Sequence, residues 1–308
     1  MRVAKFGGTS LATATRFRQA AEILLAKRDR KICVCSAPGK RFPQDRKITD
    51  LLIDLARSED EDRSVILRQE IEAHFQEITE ELGLRPADLL NGQLISERLQ
   101  EEEKSLTSDR YDGLITLGEL FSASVMAAYL RKIGCQAQFV GASKAGILVH
   151  KLGDHYQVHQ DSLHLIPERL LPLLQTADLL VIPGFYGRDA EGRRRPLSRG
   201  GSDVTAAWLA SALQADCEIW TDVSGVFVTD PRVHPLAQAL PQLSYEQMLI
   251  MAEQGASVLH PEAIWPLQEK QLKLYVKNSF QPEDPGTYVG PIPPPSGHGP
   301  GYPDQPEG

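Results

Sequence analysis

The 308-residue chain has little of what marks several large protein classes. Its four cysteines, Cys33, Cys35, Cys135 and Cys217, are too few and too scattered for a disulfide framework. Cys33 and Cys35, two apart on an expected strand, share a face as reduced core thiols. The eight histidines carry no metal-ligand grammar, since His155 and His159 stand four apart without the glutamate of a zinc helix. No protein-held metal is expected. Positive charge is in deficit, 33 Lys and Arg against 41 Asp and Glu, and a net charge of −8 argues against nucleic acid or an anionic membrane as partner. The one basic run, Arg193-Arg194-Arg195, reads as a solvated loop between strands. No stretch of about twenty apolar residues stands out. Lys5 and two glycines occupy the place where a signal peptide needs its apolar segment, so a cytoplasmic protein is expected.

Hydrophobic residues make up 42% of the chain, enough for a substantial core, and strand and helix patterns alternate as in a mainly parallel sheet. Strands are expected at 2–6, 31–36, 113–116, 136–140, 179–183, 218–221 and 272–278, with a β-hairpin region over 146–158. Helices are expected at 14–27, 122–133, 163–174, 204–213, 245–253 and 262–270. Between 45 and 105 the chain becomes helical and charged, with helices at 49–56, 65–82 and 91–104, a helical excursion before the sheet resumes. Its acidic runs, 59–62 and 101–103, read as solvated charge. After Gly290 the sequence is proline- and glycine-rich to Gly308 and is expected to be disordered.

Three blocks carry chemistry. In Lys5-Phe6-Gly7-Gly8-Thr9-Ser10 a strand runs into two glycines before a helix. Glycines admit an anion close to the backbone, a helix start offers unpaired N–H groups, and the lysine adds fixed charge. Alone, such a pair is an ordinary turn. A second pair opens an apolar helix in Ser198-Arg199-Gly200-Gly201-Ser202-Asp203, and residues 218–232 form a strand ending in a polar loop rich in Thr and Asp. Loops at the carboxyl ends of parallel strands are where open α/β sheets bind ligands. Phosphoryl transfer needs cations and donors on phosphate oxygens and an acceptor held in line, which Lys5, Arg199 and the glycine turns could supply in part.

These blocks resemble those of aspartokinases, members of the amino-acid kinase family. The likeness extends through Ser36-Ala37-Pro38-Gly39-Lys40, Thr49-Asp50-Leu51-Leu52, Gly118-Glu119, Pro183-Gly184-Phe185-Tyr186-Gly187 and Gly255-Ala256-Ser257-Val258-Leu259-His260-Pro261, in family order from Met1 to about Gly290. It implies the amino-acid kinase fold, an α/β three-layer sandwich with a mainly parallel central sheet and two lobes in one domain, 1–290. An amino-acid-substrate lobe would span about 1–200 and a nucleotide lobe about 201–290. The implied reaction passes the γ-phosphoryl of ATP, with Mg2+ held mainly through the ATP phosphates, to the β-carboxylate of aspartate. That acceptor is ionised at neutral pH, so no general base is required.

By the same resemblance Lys5 and Asp203 are catalytic, Lys5 on the phosphoryl oxygens and Asp203 positioning Lys5 or the metal-bound phosphate. Ser36, Thr49, Glu119, Phe185, Arg199 and Ser202 bind aspartate, the guanidinium on its α-carboxylate and Glu119 on its α-ammonium. Lys5, Gly7, Gly8, Thr9, Thr221, Asp222, Phe227, Asp230 and Arg232 bind ATP. For Glu119 the plain alternative is a surface or cap acid, and for Asp203 a first-turn carboxylate that favours the helix dipole.

The chain departs from many relatives in having Ser257 for lysine and Phe227 for tyrosine. Lys277 or Arg232 is a candidate for the missing charge. ACT domains, common in the family, have no counterpart after Pro282-Glu283-Asp284-Pro285-Gly286-Thr287, so no lysine or threonine feedback site is expected in this chain. Aspartate and ATP are the expected partners, with a homodimer possible. Two alternatives stand beside this reading: a kinase of the same fold acting on another acid, and a regulatory subunit that has lost catalysis and docks through its proline-rich tail.

Overall fold

The first strand, β1 (Arg2–Phe6), carries Val3, Ala4 and Phe6 at zero exposure, and a strand buried on both faces belongs at the centre of a parallel sheet. That is where it lies in the computed structural model, which describes residues 1–104, 109–198, 200–227, 237–253 and 259–291. Arg199, Asp230, Arg232, Ser257 and the tail beyond Pro291 lie outside the described residues.

From β1 the chain enters a single 3-10 turn, Thr9–Leu11, and then α1 (Ala14–Leu25), whose N-cap Thr13 accepts from the Arg16 N–H. It returns as β2 (Arg30–Cys35). The helical excursion follows: α2 (Ile48–Arg57), α3 (Glu61–Glu81), α4 (Ile95–Glu103), α5 (Arg110–Ile115) and α6 (Leu117–Lys132). Then come β3 (Ala137–Phe139), the short α7 (Ala142–Ala145), a hairpin of β4 (Val149–Leu152) and β5 (His155–Val158), α8 (Ser162–Leu173) and β6 (Leu179–Pro183). A second hairpin pairs β7 (Tyr186–Arg188) with β8 (Arg194–Pro196). The remainder is α9 (Gly201–Leu213), β9 (Asp216–Thr221), β10 (Gln242–Leu243), α10 (Tyr245–Glu253), α11 (Trp265–Glu269), β11 (Leu274–Asn278) and β12 (Thr287–Val289).

Among the described residues one sheet runs β10-β12-β11-β9-β1-β2-β6-β3, parallel throughout except where β11 meets β12. The connection from β1 crosses toward β2 while that from β9 crosses toward β11, so the strand order reverses between β1 and β9. Such a switch point opens a crevice at the carboxyl ends of the two strands. Register sorts the faces: Lys5, Ile219 and Val276 point one way, toward α9, while Phe6, Trp220 and Lys277 point the other, toward α1.

Four sequence expectations need correction. Residues 113–116, expected as a strand, are helical: Gly113 N–H donates to Asp109 O, and the Thr116 hydroxyl donates to Asp112 O. A short apolar run does not distinguish a buried strand from a buried helix, and here the run continues into α6. Arg110–Lys132 is therefore, with a mean hydropathy of 1.4 over its most apolar window, long and apolar enough by composition to cross a membrane, although no such stretch was expected. It lies inside the fold, against β2, β3 and β6.

The arginine run is not a solvated loop. Arg195 is buried, with its guanidinium 2.9 Å from Asp189, 2.7 Å from Asp112 and 2.8 Å from Asp109, and Arg194 pairs with Glu102. Three carboxylates around one guanidinium are what permit the burial. Nor is the 101–103 acidic run freely solvated, since Glu103 also pairs with Arg68 at 2.9 Å.

Candidate functional site

The glycine turn after β1 is defined by a backbone-to-backbone contact. Gly39 N–H donates to Gly8 O at 2.8 Å, and a Cβ on Gly39 would meet the Gly8 carbonyl carbon at 2.7 Å and the Thr9 nitrogen at 2.8 Å. Only glycine allows this approach. The turn after β2, Ser36 to Gly39, is thereby seated on the turn after β1, and Gly7 N–H donates to Trp220 O at 2.9 Å, tying the same turn to β9.

Lys5 and Asp203 meet above this turn. The ammonium lies 2.5 Å from Asp203 Oδ1, both side chains about nine-tenths buried. Asp203 is in the first turn of α9, whose N-cap Gly200 takes φ 79 and accepts at its carbonyl from the N–H groups of Asp203 and Val204. Ser202 beside it is buried against Gly184, which follows β6. Phe185 has φ 73, an uncommon conformation for a bulky side chain, held by its N–H on the Thr205 hydroxyl at 3.2 Å and by Leu197 N–H on its carbonyl at 2.6 Å. Backbone held in this region clusters at functional sites.

Glu119 starts the last wall. It stands in the first turn of α6, wholly buried, with the backbone N–H groups of Ala37 and of Glu119 itself close enough to favour its charge. Burial pushes its carboxyl up to about 8, against the opposing pull of those N–H groups and of the Lys5 charge. Among the described residues its Oε2 has no hydrogen-bond partner. A buried oxygen with no donor is costly and so marks a place where a donor binds. Its burial removes the surface alternative for Glu119, while its place in the first turn of α6 keeps it among the acids that favour a helix start. Thr49 lies in the first turn of α2, whose leading Ile48 N–H donates to Pro38 O, so it borders the same turn as Ser36.

The expected nucleotide side begins where β9 ends. Thr221 closes the strand and its hydroxyl donates to Asp222, which is exposed; Phe227 pairs with Ala239 in an isolated bridge. Thus Lys5, Gly7, Gly8, Thr9, Ser36, Thr49, Glu119, Phe185, Ser202, Asp203, Thr221 and Asp222 all lie at the carboxyl ends of β1, β2, β6 and β9 or on the helix starts packed there. Lys277 does not join Lys5. It sits on the opposite face, its ammonium 5.2 Å from the Trp220 ring centroid and bonded to Pro282 O at 3.3 Å.

Residues 1–278 match the amino acid kinase family. The chain belongs to this family. Aspartokinase 3 of Bacillus subtilis (strain 168) is 33% identical over 297 residues, 94% of this chain and 63% of that protein. Lysine-sensitive aspartokinase 3 of Escherichia coli (strain K12) is 31% identical over 312 residues, covering 93% of this chain and 63% of its own length. Among solved structures, E. coli aspartokinase III in complex with aspartate and ADP (R-state) is similar with a TM-score of 0.81 and 29% identity, across 96% of this chain and 65% of that one. The chain thus spans about three-fifths of the curated relatives it matches. In this amino acid kinase the glycine turn follows β1 at the switch point, and the buried Glu119 lies near enough to Lys5 to feel its charge. Two contributors were not singled out from sequence: the Ala37 backbone N–H, which favours the Glu119 charge, and Ser279, whose hydroxyl contacts Ser10 in the glycine turn. A backbone donor leaves no mark in sequence.

Proposed function

We propose that this chain phosphorylates the β-carboxylate of L-aspartate with ATP, giving 4-phospho-L-aspartate and ADP. The observation that carries the reading is the buried Glu119 carboxyl with an unpartnered oxygen, close enough to Lys5 to feel its charge. It suits an α-ammonium, and the likeness to an aspartokinase structure bound to aspartate and ADP supports the choice of amino acid. Ser36, Thr49, Phe185, Arg199 and Ser202 complete the aspartate side, in a lobe of about 1–200. Thr9 from the first lobe, with Thr221, Asp222, Phe227, Asp230 and Arg232 in a lobe of about 201–290, serves the nucleotide.

A β-carboxylate oxygen attacks the γ-phosphorus as the bond to the β-phosphate oxygen breaks. No proton moves. Lys5 meets charge on the oxygens in transit, and the N–H groups of the glycine turn and of α9 take the phosphates. Asp203 holds the ammonium in place. Asp203 and Asp222 are hard oxygen donors that fit a magnesium ion carried in on nucleotide phosphates, where it would offset phosphate charge.

The test is ATP with a panel of acids and hydroxylamine trapping of the acyl phosphate. Aspartyl hydroxamate is the expected product. Hydroxamate from glutamate and none from aspartate would overturn the substrate assignment, and none from any acid, with ADP still bound, would favour a non-catalytic role.

A further inference from the structure

Ser10 closes the Lys5 to Ser10 block, yet neither it nor Ser279, which follows β11, has a role in the reading above. Both are buried, at 1% and 3% exposure, and their hydroxyl oxygens lie 2.6 Å apart. The bond joins segments 269 residues apart in sequence. Ser279 also donates from its hydroxyl to Thr221 O at 3.0 Å and from its backbone N–H to the same oxygen at 2.8 Å. The Ser10 hydroxyl also lies 3.5 Å from Trp220 O, so either serine can donate to the other, and the pair is anchored on Trp220 O at one end and on Thr221 O at the other.

The next residue back extends the tie. Asn278 Nδ2 donates to the Ser224 hydroxyl at 3.0 Å, and its Oδ1 accepts from Phe280 N–H at 2.9 Å. Ser224 in turn donates to Asp284. One corner, Asn278-Ser279, therefore grips both the glycine turn after β1 and the start of the loop after β9. These segments flank the switch point from either side, and the sheet itself joins them only through β1–β9 pairing, which ends at Phe6 and Trp220. Beyond those residues, Gly7 N–H on Trp220 O, the Ser10 hydroxyl 3.5 Å from the same oxygen, and the serine pair span the gap.

We propose that Ser279 is a positioning residue which, through Ser10, sets the register of the phosphate turn against the nucleotide loop. Each segment can contact a nucleotide alone, but transfer requires both to hold it at once, so loss of the tie lowers turnover more than nucleotide binding. This role rests on the kinase reading given above.

The experiment compares Ser279→Ala, Ser279→Thr, Ser10→Ala and the double alanine variant with the parent chain. Hydroxamate formation, calorimetric ADP affinity, thermal midpoint and hydrogen exchange over residues 7–11 are measured for each. Ser279→Ala is expected to lower kcat about tenfold, as loss of buried hydrogen bonds implies. ADP affinity and aspartate KM should stay within about twofold, and exchange over 7–11 should rise while distant segments keep their protection. Threonine should restore kcat and protection, and the double variant should be no worse than Ser279→Ala, because both changes cut one chain of bonds. Unchanged exchange over 7–11 in Ser279→Ala overturns the tie, whatever the enzyme's activity. Unchanged kcat in an active enzyme, or a loss that threonine does not repair and that tracks the thermal midpoint, overturns the positioning role. A parent chain that binds ADP yet yields no hydroxamate overturns the kinase reading, and exchange then judges the tie by itself.

Discussion

Lys5 and Asp203 form an ion pair of 2.5 Å that joins the central strand to the first turn of α9, with both side chains about nine-tenths buried. Strand β1 delivers the ammonium and α9 the carboxylate, and neither sits on a flexible loop. An ammonium so held offers charge to a phosphoryl group without reorganising, which is the condition for electrostatic stabilisation in transit.

Replacing Lys5 by alanine is therefore expected to lower kcat by about a hundredfold or more, with ADP affinity reduced far less. Steady-state kinetics beside ADP calorimetry checks the split. A variant that loses only affinity would assign Lys5 to nucleotide binding alone.

On the proposed function, Glu119 should make aspartate binding dependent on pH. Its carboxyl is pushed up to about 8 by burial, so the empty site holds it protonated at neutral pH, while an ammonium beside it favours the ionised form. Binding at pH 7 should release close to one proton, and affinity should rise as pH approaches about 8. Calorimetry in buffers of different ionisation enthalpy measures the proton, and Glu119→Gln should abolish both effects. The same shift has a stability sign. The folded value lies above the ordinary 4.5, so the unfolded chain binds fewer protons between the two, and the apo fold loses stability as pH rises through that window. Glu119→Gln should flatten that slope.

Gly39→Ala tests the contact between the two turns. The new methyl would lie 2.7 Å from the Gly8 carbonyl carbon, against backbone that cannot rotate away. Displacing the phosphate turn by an ångström is expected to lower kcat about a hundredfold. The accompanying overpacking should cost about 1–3 kcal/mol in denaturant unfolding. Normal kcat in a folded variant would show that the turn tolerates displacement.

Arg195 is expected to matter for stability and not for chemistry. Its removal leaves Asp189, Asp112 and Asp109 around an emptied position, and breaking a buried ion pair on one side costs about 3–5 kcal/mol. Arg195→Ala should lower Tm by about 6 °C or more. Aspartate KM should be unchanged in the protein that remains folded.

Much of the fold was legible in sequence for identifiable reasons. The strand over Leu179–Pro183 is a continuous apolar run of strand length, and α10, Tyr245–Glu253, coincides with its expected span. Four strands went unread. β7, β8, β10 and β12 hold two or three residues each, too few for a period of two to register, and they exist because neighbouring segments bring their partners alongside. Residues 113–116 failed for the complementary reason, since an apolar run this short fits either a buried strand or a buried helix.

Of the site, sequence alone determined which residue types are present and in what order: a lysine before two glycines, a second glycine pair before an aspartate, a glutamate after a glycine. Those facts are local and survive in any conformation. What only the tertiary structure decided is which of these groups share a volume and in what ionic state. It paired Lys5 with Asp203 across 198 positions of chain, sent Lys277 to the other face by strand parity, buried Glu119 beyond the reach of water and brought Ser279 to Ser10. Desolvation and face parity are properties of packed layers, and no stretch of the chain holds them before the layers close.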